Sequence, residues 1–217
     1  MSTLQIAAVV AAILLSYVVG SIPFGLVVGK LFYHVDVRQH GSGNVGTTNV
    51  FRVLGKRAGV VVLVCDMLKG YIPAFIAAYF LRETNPWLVI VIAAAPVVGH
   101  MYSVFLKGRG GKGVATGAGV VIALIPLAGG IIAVVWVTII LTTRYVSLAS
   151  LVATALVPVF VFALGDPLPY LIAALLVTVG IFWAHRGNIS RLFKGTESRA
   201  TLPWSRKPAA LAGKEQS

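Results

Sequence analysis

Long apolar runs alternate along this chain with short polar stretches, a pattern that predicts helices threaded through a bilayer. Leu4–Val28, Ala58–Leu81, Trp87–Phe105, Leu148–Leu164 and Leu168–Ala184 each approach or reach the roughly 17–25 residues a crossing needs. Pro23 is expected to kink the first run. Val114–Thr143 is too long for one typical span and short for two, and Pro126 and Gly129-Gly130 break it near its middle. Two short helices there give seven spans in all. One helix gives six, and a segment that dips in and returns gives five. Gly25-x-x-x-Gly29, Gly55-x-x-x-Gly59 and Gly113-x-x-x-Gly117 have the spacing of close helix contacts. Met1–Gly29 has no base before Lys30 and no convincing cleavage site, so it reads as a retained first span rather than a leader.

Charge gives the sidedness. Only 11% of the residues are charged, against about 25% in soluble domains. The net charge is +12, which in a soluble protein would suggest nucleic acid. Here the bases flank apolar runs, so the partner is the lipid bilayer and no nucleic acid is expected. With seven spans, 16 of the 18 Lys and Arg fall on one side. Arg82 alone lies opposite, and Lys69 lies within the second span. The basic side is cytoplasmic by the positive-inside rule, so the N-terminus is outside and the C-terminus inside. The fold expected is all-α and polytopic, with a single transmembrane domain over 1–198. A cytoplasmic tail over 199–217, containing Pro203 and Pro208, is expected to be poorly ordered. The one cysteine, Cys65, sits in an apolar run as a small core residue, and no disulfide can form within the chain.

Three polar stretches, each at the end of an apolar run, hold the candidate chemistry. In Gly41–Arg52, glycines such as Gly43 let the backbone turn its N–H groups onto an anion. Ser42, Asn44, Thr47, Thr48 and Asn49 add polar side chains, and Arg52 can grip a phosphate bidentately. The spacing matches G-x-G-x-x-G, but it follows a membrane helix rather than a strand, so a dinucleotide fold is excluded by context. No Walker loop occurs. In Gly99–Gly113, the run Lys107-Gly108-Arg109-Gly110-Gly111-Lys112-Gly113 precedes an apolar helix. Dipole, free amides and cations would converge there on an anion. A polybasic contact with lipid headgroups is the simpler reading, though it does not need the double glycine. In His185–Glu197, His185 and Asn188 are three apart and share a helix face. His185 and His100 are equal candidates for a general base or a phosphate donor, with an interfacial structural role as the alternative. Glu197 can orient a cation or a histidine.

Asp66 and Lys69, three apart inside the second span, are costly unless paired. They read either as a pair linked to the polar stretches or as a purely structural one. The six acidic residues form no cluster for Mg²⁺, and no Cys/His set suits zinc, so neither metal nor cofactor is expected. The H-x-x-x-x-D dyad of other glycerolipid acyltransferases is missing. A reaction between phosphate-bearing substrates fits, while a transporter of phosphate or an organophosphate is the alternative. One-sided polar motifs argue against transport, which needs a midplane site open to both faces.

Taken together, the three stretches resemble those of the bacterial PlsY family, acyl-phosphate-dependent glycerol-3-phosphate acyltransferases. The likeness runs from Gly20-Ser21-Ile22-Pro23-Phe24-Gly25 through Asp66-Met67-Leu68-Lys69-Gly70 to Glu197. It implies a seven-helix enzyme of the bacterial inner membrane, with its active site on the cytoplasmic side. Such an enzyme moves a fatty acyl group from acyl phosphate to the sn-1 hydroxyl of glycerol 3-phosphate. The products are lysophosphatidic acid and inorganic phosphate, at an early step of phospholipid synthesis. By position, Ser42, Arg52, Lys112, His185 and Asn188 are the expected catalytic set. Arg52 and Lys112 would bind phosphate, supported by Lys107 and Arg109, and Ser42 and Asn188 would donate hydrogen bonds. Gly43, Asn44, Thr47, Thr48, Asn49, His100, Gly110, Gly111 and Glu197 complete the expected binding set. The hydroxyl proton goes to His185 or to a substrate phosphate oxygen, with the second preferred. The acyl chain is expected along a lipid-facing groove. A monomer is expected, and contact with the enzyme that makes acyl phosphate is left open.

Overall fold

The structure is a computed structural model that describes residues 2–200, so nearly all of the expected tail lies outside the described residues. These residues form ten α-helices and no strand. The helices are α1 (Thr3–Ser21), α2 (Phe24–Tyr33), α3 (Thr47–Leu54), α4 (Lys56–Leu81) and α5 (Pro86–Met101). After them come α6 (Val114–Leu124), α7 (Pro126–Thr143), α8 (Val146–Ala163), α9 (Leu168–Ala184) and α10 (Arg186–Phe193). By length and composition α1, α4, α5, α7 and α8 can each cross a membrane, and α9 joins them if its 61° bend into α10 is counted within one span. The all-helical membrane reading holds.

Two boundaries differ from expectation, both at prolines. Leu4–Val28 is not one kinked helix: α1 stops at Ser21, and α2 starts at Phe24 beyond Pro23. The 114–143 piece does divide, because Pro126 cannot donate an amide bond but fits the first turn of a new helix. The halves are unequal. α6 has 11 residues, too few to cross, whereas α7 has 18 and is not short.

The bundle is inside-out relative to a soluble one. The buried residues of α1 are Ser16, Gly20 and Ser21, while Leu14 and Leu15 face outward. Lipid is as apolar as leucine, so the helices associate through small residues that let backbones approach. α1 crosses α5 where Gly20 faces the Pro96 backbone and Gly99 faces the Tyr17 carbonyl. α4 crosses α6, its main partner, where Gly70 meets the Thr116 carbonyl and Gly119 meets the Met67 carbonyl. The expected small-residue spacings divide by role. Gly25, Gly29 and Gly59 are close contacts, against Val45, Val35 and Phe51. Gly55, at φ +85°, is the turn between α3 and α4 and faces open space. A methyl group on Gly119 would force two backbones apart. Gly119→Ala should therefore cost about 1–3 kcal/mol or more, seen as a lower unfolding midpoint in detergent. Gly130→Ala, whose added carbon meets nothing, should leave the midpoint nearly unchanged.

The break at Pro23 also accounts for the charges in α4. It frees the carbonyls of Ser21 and Ile22 in a buried setting. Ser103 Oγ donates to the first at 2.6 Å, and Lys69 Nζ donates to the second at 2.8 Å. Asp66 then neutralises Lys69 at 2.7 Å, and His100 Nδ1 lies 3.7 Å from the same carboxylate. The pair is structural, and through His100 it also touches the second polar stretch.

Candidate active site

The ends of α3, α5, α9 and α10 and the starts of α6 and α8 meet at one end of the bundle, and all three polar stretches lie there. The chain turns from α9 into α10 at His185, which is buried together with Asn188. His185 Nδ1 lies 2.8 Å from the Ile181 carbonyl. A carbonyl can only accept, so Nδ1 carries the proton and Nε2 of the neutral ring is an acceptor. Asn188 bridges the site: its Oδ1 accepts from Lys112 Nζ, and its Nδ2 donates to Glu197 Oε1 at 2.6 Å. Glu197 also accepts from Ser147 Oγ at 2.8 Å and from Arg191 Nε at 2.6 Å. Burial works to raise the Glu197 carboxyl, but these three donors outweigh it and hold the group ionised below its usual range. Glu197 therefore braces Asn188 and Arg191.

The glycine-rich loop before α6 does something other than expected. The Gly110 amide donates to the Met101 carbonyl at 3.0 Å, and the Gly111 amide donates to the His100 carbonyl at 2.9 Å. Gly111 also rests against the His100 imidazole, with no room for a side chain. The double glycine thus lets the loop pack on His100, and its two amides are not open to an anion. The start of α6 has no side-chain cap: Gly113, at φ +86°, occupies that position. Lys112 sits directly before it. Burial pushes the Lys112 ammonium down to about 8, with Glu197 opposing that shift and Arg191 and Arg52 adding to it. Arg52, exposed in the last turn of α3, therefore lies within electrostatic reach of Lys112. Lys107 and Arg109 lie on an exposed part of the loop.

The first stretch is held from within. Buried Asn49 donates to the carbonyls of Val37 at 2.9 Å and His40 at 3.1 Å, and its Oδ1 accepts the Ser42 amide at 2.8 Å. Asn49 is committed to holding the loop, not available to a ligand. Asn44 Oδ1 accepts the Gly46 amide at 2.8 Å, a turn that leads the chain into α3. α3 also starts without a side-chain cap. Ser42, Gly43 and Thr48 are exposed, while Thr47 Oγ1 is buried with no partner.

The structure therefore joins Arg52, Lys112, His185, Asn188 and Glu197. It assigns Asn49, Gly110 and Gly111 to support, and turns His100 toward Asp66. Ser147 and Arg191 belong to the network and are absent from the expected set. Arg191 lies inside the third stretch, where its charge was the available signal. Ser147 follows Arg144-Tyr145 in an apolar helix and carries no signal beyond that basic neighbour.

An anion held by Lys112 needs the ammonium form. Affinity for a phosphate substrate should be full below pH 8 and fall as pH rises through about 8, where free Lys112 loses its proton. A KM profile from pH 6.5 to 9.5 checks this. Lys112→Arg, if active, should move the alkaline limb out of range.

Fold and site together define a multi-span integral membrane protein with a cation-lined pocket at one end of its bundle. The sequence model of the glycerol-3-phosphate acyltransferase family matches residues 10–195, and the chain belongs to that family. The glycerol-3-phosphate acyltransferase of Geobacillus kaustophilus is 46% identical over 89% of this chain and 97% of its own length. That of Rubrobacter xylanophilus is 46% identical over 88% and 94%. Two crystal structures of PlsY, an integral membrane glycerol 3-phosphate acyltransferase, share the fold. Its glycerol 3-phosphate form gives a TM-score of 0.86 at 45% identity, over 89% of this chain and 96% of that one. Its lysophosphatidic acid form gives 0.84 at 44% identity, over the same shares.

Proposed function

We propose that this protein transfers a fatty acyl group from acyl phosphate to the sn-1 hydroxyl of glycerol 3-phosphate. It would do so at the cytoplasmic face of a bacterial inner membrane, releasing lysophosphatidic acid and inorganic phosphate. The observation that carries the reading is the Lys112–Asn188–Glu197 chain, with Arg52 within electrostatic reach and His185 beside it.

Acyl phosphate is a mixed anhydride and needs no further activation. The glycerol hydroxyl oxygen bonds to the acyl carbon, and the bond from that carbon to the phosphate oxygen breaks. The protein's tasks are to align the two substrates and to offset the charge that develops. Lys112 and Arg52 bind phosphate oxygens. Asn188 fixes Lys112 and is itself fixed by Glu197. Ser42 and the uncapped starts of α3 and α6 supply further donors. Lys107 and Arg109, on the exposed loop, attract anionic substrate to the site. The hydroxyl proton passes to a phosphate oxygen of the substrate, so that His185 positions rather than abstracts. His185→Ala should then raise KM about tenfold or more while leaving kcat within a few-fold. A loss of about 10²–10⁴ in kcat with KM unchanged would make His185 the base instead. Donor identity is tested by comparing long-chain acyl phosphate with the corresponding thioesters. Turnover with a thioester alone would overturn the donor assignment.

A further inference from the structure

An apolar cavity with an empty volume of ≈ 650 Å³ lies inside the bundle between α5, α6, α8 and α9. One end opens at the site. Ile181 lines the cavity, and its carbonyl holds His185 Nδ1. Gly117 lines it too, one turn of α6 beyond Gly113 and Lys112, where no side chain narrows the passage. The other end is closed by Leu124 and Ile125, where α6 stops, and by Tyr170 in the first turn of α9. All three are buried, at 5%, 8% and 3% exposure. The closure comes from the chain break at Pro126, which ends α6 after 11 residues. From Tyr170 to Ile181 along α9 is about 16 Å at 1.5 Å per residue. That is roughly half of a 30 Å hydrocarbon core, the share that one chain of a membrane lipid fills.

We propose that this internal cavity, rather than the lipid-facing surface, receives the acyl chain, and that Leu124, Ile125 and Tyr170 form a floor that limits its length. The proposal rests on the acyltransferase reading above. Its occupant follows from continuity: a chain whose carbonyl lies beside His185 and Lys112 has this passage directly ahead of it. The lining offers little else to bind. Only Thr154, Thr178 and Tyr170 carry hydroxyls, and Thr178 Oγ1 donates to the Thr154 carbonyl at 3.3 Å.

The test measures kcat/KM for a series from dodecanoyl to octadecanoyl phosphate. Ala173, which lines the cavity one turn above Tyr170, is replaced to raise the floor, and Leu124 to lower it. Ala173→Leu should shift the ratio of the shortest to the longest chain at least tenfold toward the shortest, and Leu124→Ala should shift it the other way. One methylene in an apolar pocket is worth roughly 10- to 200-fold in discrimination. Equal changes at every length in both variants would overturn the floor. A second measurement needs neither variant nor donor. Unmodified protein is photolabelled with lysophosphatidic acid carrying a diazirine at the chain terminus. Label on Leu124, Ile125 or Tyr170 supports the proposal. Label on the exposed outer face of α9, at Leu176 or Val179, overturns it. Failure of every acyl phosphate to react would instead defeat the donor assignment, and the labelling result would still stand.

Discussion

Lys112→Ala should lower kcat/KM by about 10²- to 10³-fold while the protein remains folded. That is the usual loss when one preorganised group that stabilises developing charge is removed. Lys112 is the cation hydrogen-bonded directly to Asn188, and it stands at the uncapped start of α6. Removing it leaves the Glu197 contacts to Ser147 and Arg191 intact, so the local fold survives. Lys107→Ala is the matched control. Lys107 is equally cationic and only five residues away, but it is exposed. Its loss should change the rate by less than about threefold and act mainly at low salt, as expected of a steering charge. Equal losses in the two variants would mean that the loop acts as a diffuse basic patch. Phosphate-release kinetics at two salt concentrations separate these outcomes.

Asp66→Ala should be the most destabilising single substitution, at about 3–5 kcal/mol, because it strands a buried ammonium. Lys69 is nearly inaccessible and is held against Asp66 and the Ile22 carbonyl. Replacing both residues, as Asp66→Ala with Lys69→Met, should recover part of the loss. The remaining deficit, about 1–3 kcal/mol, is the price of the unsatisfied Ile22 carbonyl. Denaturant titration in detergent measures both. If the double variant were no more stable than Asp66→Ala, the stranded charge would not be the cause.

Much of this was legible in the sequence, because a bilayer imposes a length and a polarity that a chain cannot hide. The apolar runs became helices, and Pro126 divided the 114–143 piece as its missing N–H requires. Pro23 was underestimated. A kink was expected, but the break became affordable only because Ser103 and Lys69, far away in sequence, supply the donors it needs. That long-range compensation leaves no local trace. The cationic and amide members of the site, Arg52, Lys112, His185 and Asn188, stood out because charge and hydrogen-bonding capacity are scarce in a lipid-facing chain. What sequence could not separate was binding from support. Asn49, Gly110 and Gly111 have the residue types of a phosphate loop. Only geometry shows Asn49 tied to three backbone groups and both glycine amides tied to carbonyls. Ser147 was missed because a serine in an apolar helix is usually a packing residue.

The central claim is a direct transfer between two phosphate-bearing substrates at a site anchored by Lys112. The most direct measurement is phosphate release by the purified protein, given long-chain acyl phosphate with and without glycerol 3-phosphate, with the lipid product followed in parallel. Release that needs both substrates, matched one for one by lysophosphatidic acid and lost in Lys112→Ala, is the expected result. Folded protein that binds glycerol 3-phosphate yet releases no phosphate from acyl phosphate would contradict it.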